Sequence, residues 1–204
     1  MKARPSAPER RSPTQQRARQ TVETILDAVL RILRRGDLNA LTTNHIAEAA
    51  GVSIGSVYQY FPDKQAIFAA LHQRHLAEVD RVIGSALAQH GSSSLQALIA
   101  ALVEAMIDVH TADPNLYELL STQIPPRPGG SRDFSQRLHG AFRLALAAHV
   151  RELPPERDLD LTVFVMTHIV DSLGHGAVLR RPAGVSLAAA REETVRAVLA
   201  YLRS

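Results

Sequence analysis

From Arg17 onward, apolar residues recur at spacings of three and four, the period of a helix that buries one face. Val22, Ile25, Leu26, Val29, Ile32 and Leu33 form the first such stripe. Arg31, Arg34 and Arg35 crowd its last turn, where positive charge suits the helix dipole, and Gly36 supplies a stop. A short second helix follows Thr42 or Thr43, either of which can cap it, and passes through Ile46 and Ala47 to Ala50. Gly51 supplies a turn, and Ser53 caps a third short helix ending near Tyr60 or Phe61. Pro62 and Asp63 allow a break, after which a long helix runs from about Lys64 into the Ser85–His90 region.

The helical period continues to the end of the chain. Ser93 or Ser94 caps a stripe of Leu95, Leu98, Ile99, Leu102, Val103, Met106 and Ile107. Asp113-Pro114 is a cap followed by proline at the first helical position, opening a helix through Leu116, Leu119 and Leu120. The tract from Pro125 to Gly130 reads as a flexible connection. Further helices are predicted from about Asp133 to Arg151, from Asp158 to Arg180, and from Ser186 to Leu202. No strand-like alternation competes with these, so the predicted fold is all-α with about nine helices.

Charge sharpens this picture by its placement. The chain has 204 residues, 23 basic and 20 acidic, a net charge of +3. Residues 1–20 hold six basic side chains (Lys2, Arg4, Arg10, Arg11, Arg17 and Arg19) against Glu9 alone, while residues 76–204 are net acidic. Any contact with a polyanion is therefore expected near the N-terminus. Pro5, Pro8 and Pro13 among polar residues make 1–16 read as a disordered basic tail. There is no Cys, which excludes disulfides, thiolate metal sites and a cysteine nucleophile. The start has no apolar signal-peptide core, and charge or Gly interrupts each apolar stretch well short of the ~18 residues of a membrane span. A cytoplasmic protein without a membrane partner is expected. No Gly-rich phosphate loop, HExxH or GxSxG is present, so no enzyme is expected, and no cofactor.

Two short helices joined by Ala50-Gly51-Val52-Ser53 have the spacing of a helix-turn-helix, whose second helix stands proud of its support and enters the major groove. Ser53, Gly55, Ser56, Gln59 and Tyr60 would face outward, with Val57 and Phe61 inward and Phe68 in the core. Gly55 costs roughly 1 kcal/mol of helicity against Ala, yet permits close approach to a base pair or phosphate. In Ile25-Leu26-Asp27-Ala28, Leu41-Thr42-Thr43, Ile46 to Ser53, Ser56 to Phe61 and Asp63-Lys64-Gln65, the stretch from about Arg19 to His75 resembles the DNA-binding head of the TetR family, the tetracycline-repressor-like transcriptional regulators.

That resemblance implies an N-terminal helix-turn-helix domain over 17–63 and a helical effector-binding and dimerisation body over 64–204. The implied contacts to double-stranded DNA are Thr42, Thr43 and Asn44 at the second helix, and Ser53, Ile54, Gly55, Ser56, Gln59 and Tyr60 on the recognition helix. Tyr58 and Lys64 are the expected backbone contacts. Gln59 suits adenine N6 and N7, and Ile54 a thymine methyl. The recognition helix carries no Arg or Lys, so shape readout and the basic tail are expected to share the task.

In the body, the resemblance implies a homodimer through the last two helices. Interface candidates are Val163, Val170, Ala177, Val178, Leu187, Thr194, Val198 and Tyr201, with Leu173 and Gly174 allowing close packing, and the chain's own core is the alternative place for most of them. A small-molecule effector, largely apolar, is expected among the middle helices. Candidate liners are Leu102, Met106, His110, Leu116, Leu120, Phe134, Leu138, Phe142, Phe164, His168 and Asp171. His168, Asp171 and His175 share one helical face at spacings that metal sites use, although interface or core roles serve them equally and no metal is expected. The expected function is a regulator, a repressor released from a palindromic operator by its effector. The alternative is a helical dimeric adaptor that does not bind DNA.

Overall fold

The computed structural model describes residues 13–36, 41–123 and 132–204. The chain divides into two compact units, Met1–Ala70 and Leu71–Ser204. The first holds α1 (Pro13–Arg34), α2 (Thr43–Ala50), α3 (Ile54–Tyr60) and the start of α4 (Lys64–His90). The second holds the rest of α4, then α5 (Leu95–Thr111), α6 (Pro114–Gln123), α7 (Arg132–Ala148), α8 (Leu159–Leu179) and α9 (Leu187–Arg203). The expected domain boundary at 63/64 is the first residue of α4, whereas the compact units part inside that helix. Among the described residues there are nine α-helices and no strand.

Helix α1 starts at Pro13, inside the stretch assigned to the tail. Proline suits the first helical position because its φ is preset and its missing N–H has no partner to lose there. The helix therefore begins about a turn before Arg17. Residues 1–12, which carry the rest of the expected tail, and the expected flexible tract Pro125–Gly130 lie outside the described residues.

Side-chain caps set most of the helix starts. Thr42, Ser53, Ser94, Asp158 and Ser186 each accept a hydrogen bond from a backbone N–H two or three residues on. Asp63 and Asp113 do the same for the N–H groups of Ala66 and Leu116. Helix α7 stops at Ala148, short of the predicted Arg151, and a single 3₁₀ turn follows at Val150–Glu152. A tertiary contact explains the early stop. His149 turns inward, with Nδ1 2.8 Å from the Glu152 carboxylate and Nε2 3.3 Å from the Gly91 carbonyl. Glu152 in turn accepts the Leu95 N–H at 3.3 Å, joining this turn to the start of α5.

The second unit is built around α5. Leu95, Leu98, Ile99, Val103 and Ile107 are at most 1% exposed and pack among Val79 and Ile83 of α4, Phe142 and Leu146 of α7, Val163 and Met166 of α8, and Val198 and Leu202 of α9. Its narrow polar edge is met by α9, where Arg191 pairs with Asp108 beside Glu104. Arg157 closes the base of the bundle: it donates to the Thr162 hydroxyl and the Leu202 carbonyl and lies over the Tyr201 ring.

Two expectations are corrected here. Val163, Ala177, Thr194 and Val198, offered as interface residues, are buried inside the single chain. Val170, Val178, Leu187 and Tyr201 are half-buried against the same core. Periodicity reports that a face is apolar and not what covers it, and the chain's own helices cover this one. The exposed apolar side chains of α8 are instead Leu161, Phe164 and Leu173, at 58%, 54% and 42%. The second correction concerns membrane-spanning length, which α8 does reach by length and composition. Its apolar character combines two demands: Thr162, Val163, Met166, Gly174 and Ala177 pack in the bundle while a second apolar edge faces outward.

Gly51 adopts φ +67° and closes α2, with its N–H on the Glu48 carbonyl at 3.0 Å and that of Val52 on the Ala47 carbonyl at 3.0 Å. Gly55, by contrast, has ordinary helical backbone, and a Cβ there would meet only Ser53 Oγ at 3.8 Å. Gly51→Ala is therefore expected to destabilise the chain by about 1–2 kcal/mol, and Gly55→Ala to stabilise it by up to about 1 kcal/mol. Urea denaturation followed by circular dichroism checks both signs.

Candidate nucleic-acid interface and effector cavity

In the head, α2 packs on α1 and α3 on α2, and Ile25, Val29, Ile32 and Leu33 are buried together with Ile46, Ala47 and Val57. The Arg31 guanidinium donates to the Ala49 carbonyl at 2.7 Å, holding the last turn of α2 to α1. Ser53 caps α3 from two directions, accepting the Ser56 N–H at 3.0 Å while its Oγ lies 2.8 Å from Ser56 Oγ. So braced, α3 leaves Ile54, Gly55, Tyr58 and Gln59 exposed, with Ser56 and Tyr60 half-buried. Val57 and Phe61 face inward, and Phe68 is buried.

Around that face, Thr42 spends its hydroxyl on the cap of α2, accepting the His45 N–H at 3.2 Å. Asn44 stays exposed, and the Thr43 hydroxyl lies 3.2 Å from the Tyr58 hydroxyl. Tyr58 is half in solvent, so this pair presents two hydroxyls on one surface, a suitable hold for a phosphate oxygen. Lys64 is exposed at the start of α4, its ammonium 5.6 Å from the centre of the Phe68 ring. The fold around Gly55 has room for a side chain, since a Cβ there would meet only Ser53 Oγ at 3.8 Å. Arg31 was missed by sequence reasoning: a basic residue in the last turn of a helix signals the dipole, not a bond to a neighbouring helix.

In the second unit, helices α4 to α9 enclose a cavity of about 440 Å³. The candidates Leu102, Met106, His110, Phe134, Leu138, Phe142, Phe164, His168 and Asp171 all line it. Leu116 and Leu120 do not, and Leu120 is buried elsewhere in the core. Helix α6 meets α5 at 88°, so the face it turns to the cavity is Tyr117's. His75, Val79 and Ile83 of α4, with Ser135, His139 and Thr167, are among the further wall residues that were missed. The signal for α4 was available, since His75, Val79 and Ile83 are four apart and share one face.

Three rings of this wall, His75, His110 and Tyr117, meet, and a fourth, His175, joins them through Tyr117. His110 stacks on Tyr117 at 3.9 Å between centroids, His75 lies 5.2 Å from His110, and His175 Nδ1 is 3.2 Å from the Tyr117 hydroxyl. His168 turns away, its Nδ1 bonding the Phe164 carbonyl at 2.7 Å. No group of three or more His, Asp or Glu is arranged to hold a metal among the described residues. Burial lowers the pKa of His110 to about 4, helped by neighbouring His75; the Met106 carbonyl works the other way, without being placed to hydrogen-bond Nδ1. Burial also lowers His75, and raises Tyr117 to about 12 with a contribution from Asp171. At neutral pH the His75 and His110 rings and the Tyr117 hydroxyl are uncharged.

A depressed histidine pKa means that the folded chain binds fewer protons than the unfolded chain between pH 6.5 and about 4. The stability His110 protects is thus complete above the first value and falls as pH drops toward the second. Between about pH 7.5 and about pH 5, His110→Phe should lose less stability than the unaltered chain, by on the order of 2 kcal/mol. Urea denaturation at the two pH values measures this, and equal losses would remove His110 as the acid-sensitive group.

Comparison with known proteins agrees with both halves of this geometry. Residues 25–71 match the model of bacterial regulatory proteins of the tetR family, and residues 94–202 the tetracyclin repressor-like C-terminal domain. The HTH-type transcriptional regulator AcrR of Shigella flexneri is 36% identical over 58 residues, which span 28% of this chain and only 27% of that protein. A TetR-family transcriptional regulator from Streptomyces coelicolor superimposes with a TM-score of 0.68 at 24% identity, over 91% of this chain and 97% of that one. The fatty acid degradation regulator FadR from Bacillus halodurans gives 0.64 at 20% identity, over 89% and 99%. With its helix-turn-helix head, its all-α body and more than half its length in the C-terminal match, the chain belongs to the tetR family of bacterial regulatory proteins.

Proposed function

We propose that this protein is a cytoplasmic, homodimeric repressor that binds a palindromic operator and is released from it by a small, largely apolar effector. The observation that carries the DNA reading is the exposed face of α3. It is braced by the Ser53 cap and the Arg31 bond, flanked by the Thr43–Tyr58 hydroxyl pair, and open at Gly55 where the fold itself does not require it. Gln59 reads a base edge, Ile54 packs on a methyl group, and Asn44, Thr43, Tyr58 and Lys64 hold phosphates. Arg17 and Arg19, exposed on the first turns of α1, add backbone contacts.

A single head covers too little DNA for tight specific binding, so two copies are needed, presenting recognition helices about 34–36 Å apart. The exposed Leu161, Phe164 and Leu173 of α8 support pairing through the C-terminal helices. The cavity supports the effector. Phe164, His168 and Asp171 are exposed and also line the cavity, so its opening runs along the face that carries the dimer contacts. A ligand that binds one dimer geometry better than the other shifts the operator equilibrium by that difference in affinity.

Two experiments test these halves separately. On an operator selected from fragmented genomic DNA, Lys64→Ala should weaken binding uniformly across sequences and reduce the salt slope by about one. Gln59→Ala should relax preference at one base pair by about 1–3 kcal/mol. Unchanged operator binding by both variants would leave the head without a role on DNA. Met106→Trp should fill the cavity, holding operator affinity within about twofold while uptake of the neutral dye Nile red falls roughly tenfold. Undiminished uptake would place the dye elsewhere.

A further inference from the structure

One end of the cavity is formed by His75, His110 and Tyr117, while most of the remaining wall is aliphatic and phenyl carbon, with Ser135, His139, Thr167, His168 and Asp171 also on it. His110 is 6% exposed, and its Nδ1 is buried without a hydrogen-bond partner. Most buried polar atoms are paired, because an unmade hydrogen bond costs the desolvation of the group. Here the unpaired atom belongs to a residue on the cavity wall, beside the Tyr117 ring and His75.

We infer that the cavity takes an uncharged amphiphile: an apolar body of alkyl or aryl carbon with one hydroxyl or carbonyl head that hydrogen-bonds His110 Nδ1. A neutral imidazole nitrogen accepts from a hydroxyl in one tautomer and donates to a carbonyl in the other, so both heads satisfy it. The inference rests on the cavity being the effector site and names the chemistry of its occupant.

Charge around the cavity selects against the ionic alternatives. No Lys or Arg lines it among the described residues. The α7 arginines Arg137 and Arg143 pair with Asp80 and Asp160 and form no part of the wall. His139 likewise pairs with Asp160. The carboxylate on the wall is Asp171, which repels an anion. An acid would have to enter protonated or protonate an imidazole whose surroundings disfavour the charge. An ammonium finds one carboxylate, and that one is exposed to water and has no need of it.

Isothermal titration calorimetry of the full chain with three ligands sharing one body tests this: para-hexylbenzyl alcohol, para-hexylbenzoate and para-hexylbenzylamine. The alcohol should bind roughly tenfold or more tightly than either ion, and His110→Phe should weaken the alcohol about five- to tenfold while leaving the ions nearly unchanged. Overturning results are tightest binding by the benzoate or the amine, alcohol binding that is indifferent to His110→Phe, or no binding by any of the three. Should His110→Phe fail to fold, the order of the three heads on the unaltered chain decides alone. Operator release is read separately by fluorescence anisotropy. An alcohol that binds and leaves the operator complex intact keeps the ligand class and removes the regulatory role. A benzoate that binds best and releases the operator does the reverse.

Discussion

The body of this protein depends on keeping α5 out of water. Its apolar positions are buried in one core with residues of α4, α7, α8 and α9. The consequence for function lies at its C-terminal end. The same stripe that buries Ile107 carries His110 inward three residues later, onto a wall where no partner for Nδ1 is built. Hydrophobic burial thereby holds a polar atom at the edge of a cavity. The cost of leaving it unpaired, about 1–3 kcal/mol in general, becomes available to a ligand that pairs it.

The head rests on a different constraint, one of backbone conformation. A tight reversal between α2 and α3 requires a left-handed residue, and Gly51 supplies it. Ser53 then starts α3 at once, and Arg31 secures the turn from behind. These local bonds involve few residues, which explains why a short helix can stand exposed without a large core of its own. They also leave Ile54, Gly55 and Gln59 of α3 exposed to solvent.

Much of this was legible in the chain. Ser53, Asp158 and Ser186 marked helix starts because capping is a local hydrogen bond between near neighbours, and where the chain offered Thr42 or Thr43 and Ser93 or Ser94, the structure caps with Thr42 and Ser94. Of the liners that the family resemblance implied, Leu102, Met106 and His110 of α5 all line the cavity. Helix α6 was less legible. One residue of helix is about 100° of rotation, and with α6 crossing α5 at 88° nothing local distinguishes Leu116 from Tyr117. The interface candidates Val163 and Val198 met the same difficulty: a buried stripe reads alike whether its cover is a neighbouring helix or a second chain.

By itself, the sequence determined the helices, their caps and breaks, and the helix-turn-helix whose residues belong to the tetR family. Each of these follows from interactions within a few residues along the chain. The tertiary structure alone decided which apolar faces close on one another and which, as at Leu161 and Phe164, stay exposed. It also decided that α7 yields its last turn to a contact between His149, Glu152 and the start of α5. Finally, it brought His75, His110, Tyr117 and His175 together from four helices. Those outcomes depend on packing between residues distant in sequence, where the rotation and crossing angle of each helix are set by all of its neighbours at once.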